Sequence, residues 1–196
     1  MEDRTQQKAE PAAVRSSTRI LVIATDELAG PELIEEFRGR LRGAGPVEVM
    51  VIAPAVEKTV FHHALGDVDA AAMEAGRRLE TSLDELRRAG IPALGEIGDS
   101  DPILAAEDAL RLFVADEVLI VAHADDQARW FEDGLFERAK HALQPAVRML
   151  AVWREEGEPP HLAGVEESGP GREPAPDAER GPALWQRLFR ATPPGS

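Results

Sequence analysis

The chain has 196 residues, which is enough for one domain with a core of ordinary size. Its formal net charge of −14 argues against a protein that binds DNA, RNA or an anionic membrane nonspecifically. The sequence contains no cysteine, which excludes disulfides, thiolate zinc sites and thiol chemistry.

Polar, aperiodic residues begin the chain, and we expect residues 1–17 to form a disordered arm. This segment lacks the apolar centre of a secretory signal. No apolar run in the sequence approaches the roughly 20 residues that span a bilayer. We therefore expect a cytoplasmic protein without a membrane partner.

Short apolar runs alternate with amphipathic stretches over residues 18–153, the pattern of a single α/β domain. Between the runs, apolar residues recur every three or four positions and predict four helices. This order of elements predicts a three-layer α/β/α sandwich with a five-stranded parallel sheet and right-handed crossovers. The five predicted strands are residues 19–25, 47–53, 92–97, 117–123 and 147–153.

Four residues mark expected helix ends. Gly30 and Asp101 each precede a proline, as N-cap residues do when proline takes the first helical position. Gly43 and Gly90 lie where helices should stop. Asp99 is expected to shape the turn before the helix that Asp101 caps. The weaker alternative is that these two aspartates bind a metal ion.

The loop after the fourth strand argues against tight nucleotide binding. A phosphate site there needs glycines, whose backbone N–H groups can approach the oxygens, and a helix start without competing anions. The segment 122–138 instead presents Ala122, Ala124, Asp125 and Asp126. We therefore expect ATP to bind weakly or not at all.

Three motifs follow the predicted strands. The first strand ends at Asp26, the third leads into GDSDP at residues 98–102, and the fourth is followed by a long loop and Gly134. With the order of the elements, these motifs resemble the universal stress protein superfamily, of adenine nucleotide alpha hydrolase-like fold, over residues 18–153. The resemblance implies that the acidic residue meets adenine and that a glycine pattern holds the phosphates. Because only Gly134 of that pattern matches and Ala122 replaces the first glycine, the chain is similar to members that do not bind ATP.

We interpret the chain as a universal stress protein-like regulatory or partner-binding protein without catalytic activity. The sequence has no Walker loop, GxSxG elbow or GxGxxG fingerprint, and its fifth predicted strand lacks the terminal lysine of a receiver domain. His62 and His63 are adjacent, so they cannot share a helix face as metal ligands do. We predict no metal site and no resident cofactor. A small-molecule transferase is a third, weaker interpretation.

The alternative function is an adenine-nucleotide-binding stress regulator with a modified phosphate loop, in which an arginine replaces the lost glycine N–H donors. Asp26 has a simpler interpretation as a capping or turn residue. His123 would bind an anion or sense pH in such a cleft, or more simply be satisfied by hydrogen bonds of its loop. The residues predicted to line the cleft are Asp26, Ala53, Gly98, His123, Arg129, Gly134 and Arg138.

A homodimer is the first predicted protein contact. Strand 147–153 would be an unpaired edge that ends in an exposed tryptophan, and such edges pair with other chains. The resemblance also implies pairing through this strand. Arg148, a charge on the edge, counts against it.

The C-terminal segment 154–196 contains eight of the fifteen prolines, and we expect it to be a disordered tail. Within it, residues 183–190 (ALWQRLFR) place their apolar groups on one side of a short helix. Eight residues are too few for an isolated helix in water, so this segment should fold only against a groove on a partner or on this domain.

Overall fold

A computed structural model describes residues 17–56, 67–124, 134–155 and 158–169 of the chain. These residues form six strands and four helices in an α/β arrangement. No helix in the described part is both long and apolar enough to cross a membrane. In chain order the elements are β1 (Thr18–Ala24), α1 (Pro31–Leu41), β2 (Val47–Pro54), α2 (Asp67–Arg88), β3 (Ala93–Gly98), α3 (Pro102–Leu112), β4 (Glu117–His123), α4 (Leu135–Ala142), β5 (Ala146–Trp153) and β6 (His161–Glu167).

The strands form one sheet in the order β3-β2-β1-β4-β5-β6. Strands β1 to β5 pair in parallel, which confirms the parallel part of the predicted sheet. The predicted total of five strands is wrong, because β6 adds an antiparallel strand beside β5. After β1 the chain builds one side of the sheet through β2 and β3, and after β4 it builds the other side.

Apolar cores lie on both faces of the sheet. One core includes Ile103 of α3 and Phe136 of α4, and the other includes Phe37 of α1 and Leu86 of α2. Since helices cover both faces of β1 and β4, these strands are almost continuously apolar in sequence. The arrangement is consistent with the three predicted layers.

The helix ends lie where the sequence predicted them. The Asp101 carboxylate accepts a hydrogen bond from the Ile103 backbone N–H at 2.8 Å, so Asp101 is the N-cap of α3. Gly30 is the N-cap residue of α1, and Gly43 and Gly90 follow α1 and α2. These three glycines have φ values of 89°, 81° and 74°, a region that residues with side chains rarely adopt.

The carboxylate of Asp101 also accepts a hydrogen bond from Arg138 at 2.6 Å. Partial burial by itself raises the pKa of Asp101, but the hydrogen bonds from Ile103 and Arg138 outweigh it, so the pKa lies below its ordinary value. A carboxyl with a lowered folded-state pKa stabilises the protein above its unfolded-state pKa. That contribution is lost as the pH falls through the folded-state pKa.

Replacing Asp101 with alanine is expected to lower the free energy of unfolding by about 1 kcal/mol, because α3 loses its N-cap. Asp108→Ala is the matched control, since Asp108 is exposed on the same helix and pairs with Arg111 one turn away. The control should change the free energy by less than about 0.5 kcal/mol. Urea denaturation measures both. Equal losses in the two variants at neutral pH, or a difference between Asp101→Ala and wild type that does not shrink as the pH falls below the ordinary carboxyl pKa, would contradict the assignment.

Strand β6 lies inside the segment that we expected to be a disordered tail. It pairs with β5 from Arg148 to Trp153, and the Val147 N–H donates to the Ser168 hydroxyl at 2.8 Å. The predicted homodimer through strand 147–153 needed this edge to be unpaired. The premise of an unpaired edge is wrong, because the chain's own β6 occupies it. The homodimer itself stays a prediction.

Two predicted segments cannot be compared with the structure. The N-terminal arm lies outside the described residues except for Ser17, whose hydroxyl donates to Glu48 at 3.0 Å. The amphipathic segment 183–190 also lies outside them. Both stay predictions.

Candidate functional site

The candidate site lies where β1 and β4 end side by side in the middle of the sheet. The chain leaves these two strands toward opposite sides of the sheet, so the strand order reverses between them. In open parallel sheets, ligands bind in the crevice beyond such a reversal, at the carboxyl ends of the strands. Asp26 follows β1 and His123 ends β4, so the topology brings these two predicted residues together.

The turn after β1 is anchored to β4. The backbone N–H groups of Thr25 and Asp26 both donate to the carbonyl of Val121, at 3.0 Å each. The Thr25 hydroxyl donates to the same carbonyl at 2.9 Å. These hydrogen bonds fix the turn to β4 and thereby place Asp26 at the crevice.

The Asp26 carboxylate is bound by groups of this chain. Its Oδ1 accepts hydrogen bonds from the Glu27 backbone N–H, at 2.7 Å, and from the Arg154 guanidinium. Its Oδ2 lies 3.1 Å from Nδ1 of His123. The Asp26 side chain is only 2% exposed. The position at which the resemblance implies an adenine contact is therefore occupied internally.

Arginines from α2 and from the segment after β5 neutralise the neighbouring carboxylates. Arg154, which follows β5, also donates to Glu27 Oε2 at 3.2 Å. Arg77 of α2 donates to Glu27 Oε1 at 2.6 Å and to Glu74 Oε1 at 2.7 Å. These interactions, the hydrogen bond to Glu74 above all, raise the pKa of Arg77 above its ordinary value. We call the following group the ionic cluster: Asp26, Glu27, Glu74, Arg77, Arg78, His123 and Arg154.

Arg78 is fully buried, with 0% of its surface exposed. Its Nη2 donates to the Pro54 carbonyl at the end of β2, at 2.6 Å, and its Nη1 lies 3.9 Å from Glu74 Oε1. Burial lowers the pKa of Arg78, because the charged guanidinium has lost its hydration. Among the described residues, Nε and Nη1 of Arg78 have no hydrogen-bond acceptor.

Two other predicted site residues lie at the same edge of the sheet, outside the ionic cluster. Ala53 is buried in β2, and Gly98 ends β3. A Cβ atom at Gly98 would lie 2.6 Å from Ile52 and 2.8 Å from Ala105. The packing of β3 against its neighbours therefore requires a glycine there, whether or not a ligand approaches it.

The remaining predicted residues follow β4. Gly134 is the N-cap residue of α4, and Arg138 lies one turn further on and pairs with Asp101. The Arg138 guanidinium is thus engaged with the N-cap of α3. Arg129 lies outside the described residues, together with both aspartates of its loop.

The sequence interpretation missed Arg77, Arg78 and Arg154 as site residues. For Arg78 the sequence does carry a signal, because it occupies an inward-facing row of α2 in which an arginine must point toward the sheet. Arg154 gives no such signal, since it lies just beyond the last predicted strand. The inward-facing row, with every member 0% exposed, is Ala75, Arg78, Ser82 and Leu86.

Within residues 17–56, 67–124, 134–155 and 158–169, no group of three or more His, Asp or Glu side chains could hold a metal ion. His62 and His63 lie outside those ranges.

In comparisons with known proteins, no family model and no curated sequence matches the chain. The interpretation of the site therefore depends on the geometry described above.

Proposed function

We propose that this chain is a cytoplasmic regulatory protein of the universal stress protein type, which binds a protein partner or a small effector and catalyses no reaction. The observation that carries the proposal is the internal pairing of Asp26 with Arg154 and His123. It supports a crevice that does not hold ATP tightly, because the carboxylate that would meet adenine is already bound. A nucleotide would have to displace two partners from a buried group.

The charge of the crevice also opposes a triphosphate. The three carboxylates of the ionic cluster are matched by its three guanidinium groups, which leaves no excess of arginines for a polyanion. In the sequence, two more acidic residues, Asp125 and Asp126, follow β4. Each like charge opposes binding by about 1 kcal/mol or more at partly screened range.

Two hydroxyl groups near the crevice are engaged in hydrogen bonds with the backbone. The Thr25 hydroxyl donates to a backbone carbonyl, and the Ser82 hydroxyl accepts from the Leu28 N–H at 3.0 Å. A hydroxyl nucleophile instead needs a side chain that removes its proton. Both groups are thus engaged in holding the loop after β1 in place.

Isothermal titration calorimetry with Mg²⁺ and ATP tests the proposal. We expect no binding tighter than about 100 µM, given that the adenine contact is blocked and the phosphates meet like charges. Adenosine, which lacks phosphates, serves as the comparison ligand and should also fail to bind. A submicromolar dissociation constant for ATP would contradict the proposal.

The second candidate is an adenine-nucleotide-binding regulator with a modified phosphate loop. One observation favours it: Arg138 lies one turn after Gly134 at the carboxyl end of the sheet, and both Arg138 and its partner Asp101 are about half exposed. An exposed ion pair exchanges partners at little cost. If this function is correct, ATP binds in the same titration and Arg138→Ala weakens it about tenfold or more.

A further inference from the structure

We propose that Arg78 binds the carboxylate group of a small organic acid at the carboxyl ends of β1 and β2. The inference deepens the proposed function, on which it rests, because it gives the chemical class of a small effector for the same crevice. It concerns a residue that the sequence interpretation did not assign to any site.

The geometry of Arg78 points to an acceptor that the described part of the chain does not supply. A guanidinium has five N–H donors, and one nitrogen of Arg78 is held by the Pro54 carbonyl. Nε and Nη1, which carry three of those donors, are buried and have no hydrogen-bond acceptor among the described residues. Glu74 approaches Nη1 only to 3.9 Å, beyond hydrogen-bond distance.

A buried charged group with unpaired donors destabilises a folded protein, so it needs a reason to be present. The other inward-facing residues of α2 at this level are small or apolar, namely Ala75, Ser82 and Leu86. An apolar side chain would satisfy the packing there without any buried charge. Arg78 is therefore better explained by an anionic group that its donors receive.

The surrounding charges select a carboxylate over a multiply charged group. Three carboxylates raise the pKa of Arg78 by their negative charge, namely Glu74, Asp26 and Glu27. Each therefore lies close enough to repel an incoming anion. Repulsion grows with the charge of the ligand, which disfavours phosphate dianions and polyphosphates. A carboxylate carries one charge and matches the planar fork of a guanidinium.

The test uses the full chain and compares sodium acetate with sodium chloride at equal ionic strength. Because a ligand that binds only the folded state stabilises it, acetate should raise Tm in a dose-dependent way, by about 2–4 °C at five times its dissociation constant. Arg78→Met should abolish this shift. Arg78→Lys keeps the charge but not the planar donors, and should weaken acetate binding about tenfold.

Arg87→Met is the matched control, because Arg87 is an exposed arginine of the same helix that pairs with Asp84. It should keep the full acetate shift. An equal acetate shift in Arg78→Met and wild type overturns the proposal, as does a wild type that acetate stabilises no more than chloride. If Arg78→Met does not fold, an undiminished acetate affinity in Arg78→Lys overturns it.

A second titration with inorganic phosphate at the same ionic strength tests whether Arg78 prefers a carboxylate or a phosphate. A larger Arg78-dependent shift with phosphate than with acetate contradicts the assignment to a carboxylate. Failure of the Arg78 proposal can be distinguished from failure of the proposed function. Absence of the acetate effect together with absence of ATP binding contradicts only the role of Arg78, whereas tight ATP binding contradicts the proposed function itself.

Discussion

A chain that ends at Glu155 is expected to be less stable than one that ends at Gly169 by at least about 4 kcal/mol. The shorter chain lacks β6, so the backbone of β5 loses its antiparallel partner. Leu150 and Val152, which are 0% exposed in the structure, lie beside the lost strand. Their partial exposure, together with the loss of the packed Leu162, accounts for most of the expected change.

Two further contacts disappear with β6. Glu167 pairs with the buried Arg148. The Pro160 carbonyl packs closely on the start of α1, since a Cβ built at Gly30 would lie 2.6 Å from the carbonyl oxygen. Removing one partner of a buried arginine leaves its charge less compensated. The truncation therefore affects α1 and β5 at once.

Both truncated chains keep Arg154, so the comparison isolates β6 from the ionic cluster. Urea denaturation followed by circular dichroism gives the two free energies of unfolding. Because domains of this size are stable by about 5–15 kcal/mol, the shorter chain is expected to be close to unfolding at 37 °C. Equal midpoints and slopes for the two chains would show that β6 adds nothing to the fold.

Replacing Arg154 with methionine is expected to lower the free energy of unfolding by about 3 kcal/mol. The Asp26 and Glu27 side chains are 2% and 8% exposed, and Arg154 pairs with both. Without it, two buried carboxylates lose a common partner. Arg77 and His123 still contact them, which places the expected loss at the lower end for a broken buried pair.

Arg88→Met is the control for removing an arginine, since Arg88 is exposed and pairs with Glu85 one turn away. It should change the free energy of unfolding by less than about 0.5 kcal/mol. Adding Glu27→Gln to Arg154→Met should recover part of the loss, because it removes one uncompensated charge. A loss under about 1 kcal/mol for Arg154→Met would contradict a closed ionic cluster.

Most of the parallel sheet is predictable from the sequence, because strands covered on both faces must be apolar throughout. Residues 19–25 and 117–123 show this, and the observed β1 and β4 coincide with them to within one residue. Strand β6 is different. It lies at the edge of the sheet, and all of its residues are partly or fully exposed. Its sequence, HLAGVEE, therefore lacks the apolar run that marks a central strand.

The candidate site was predictable only in part. That Asp26 and His123 meet follows from the rule that parallel strands end at one edge of the sheet. The pairing of Asp26 with Arg154 joins residues 128 positions apart. Such a contact depends on the direction of the chain after β5 and on the reach of a long side chain. Neither can be deduced from local sequence patterns.

Native mass spectrometry of the full chain, purified without added ligand, tests the central claim most directly. If the ionic cluster occupies the adenine position, the protein carries no ADP or ATP after gentle isolation. A retained ligand, where one is found, should then be a small molecule without an adenine nucleotide. One bound ATP or ADP per chain would contradict the account, because Asp26 would then be free to meet adenine.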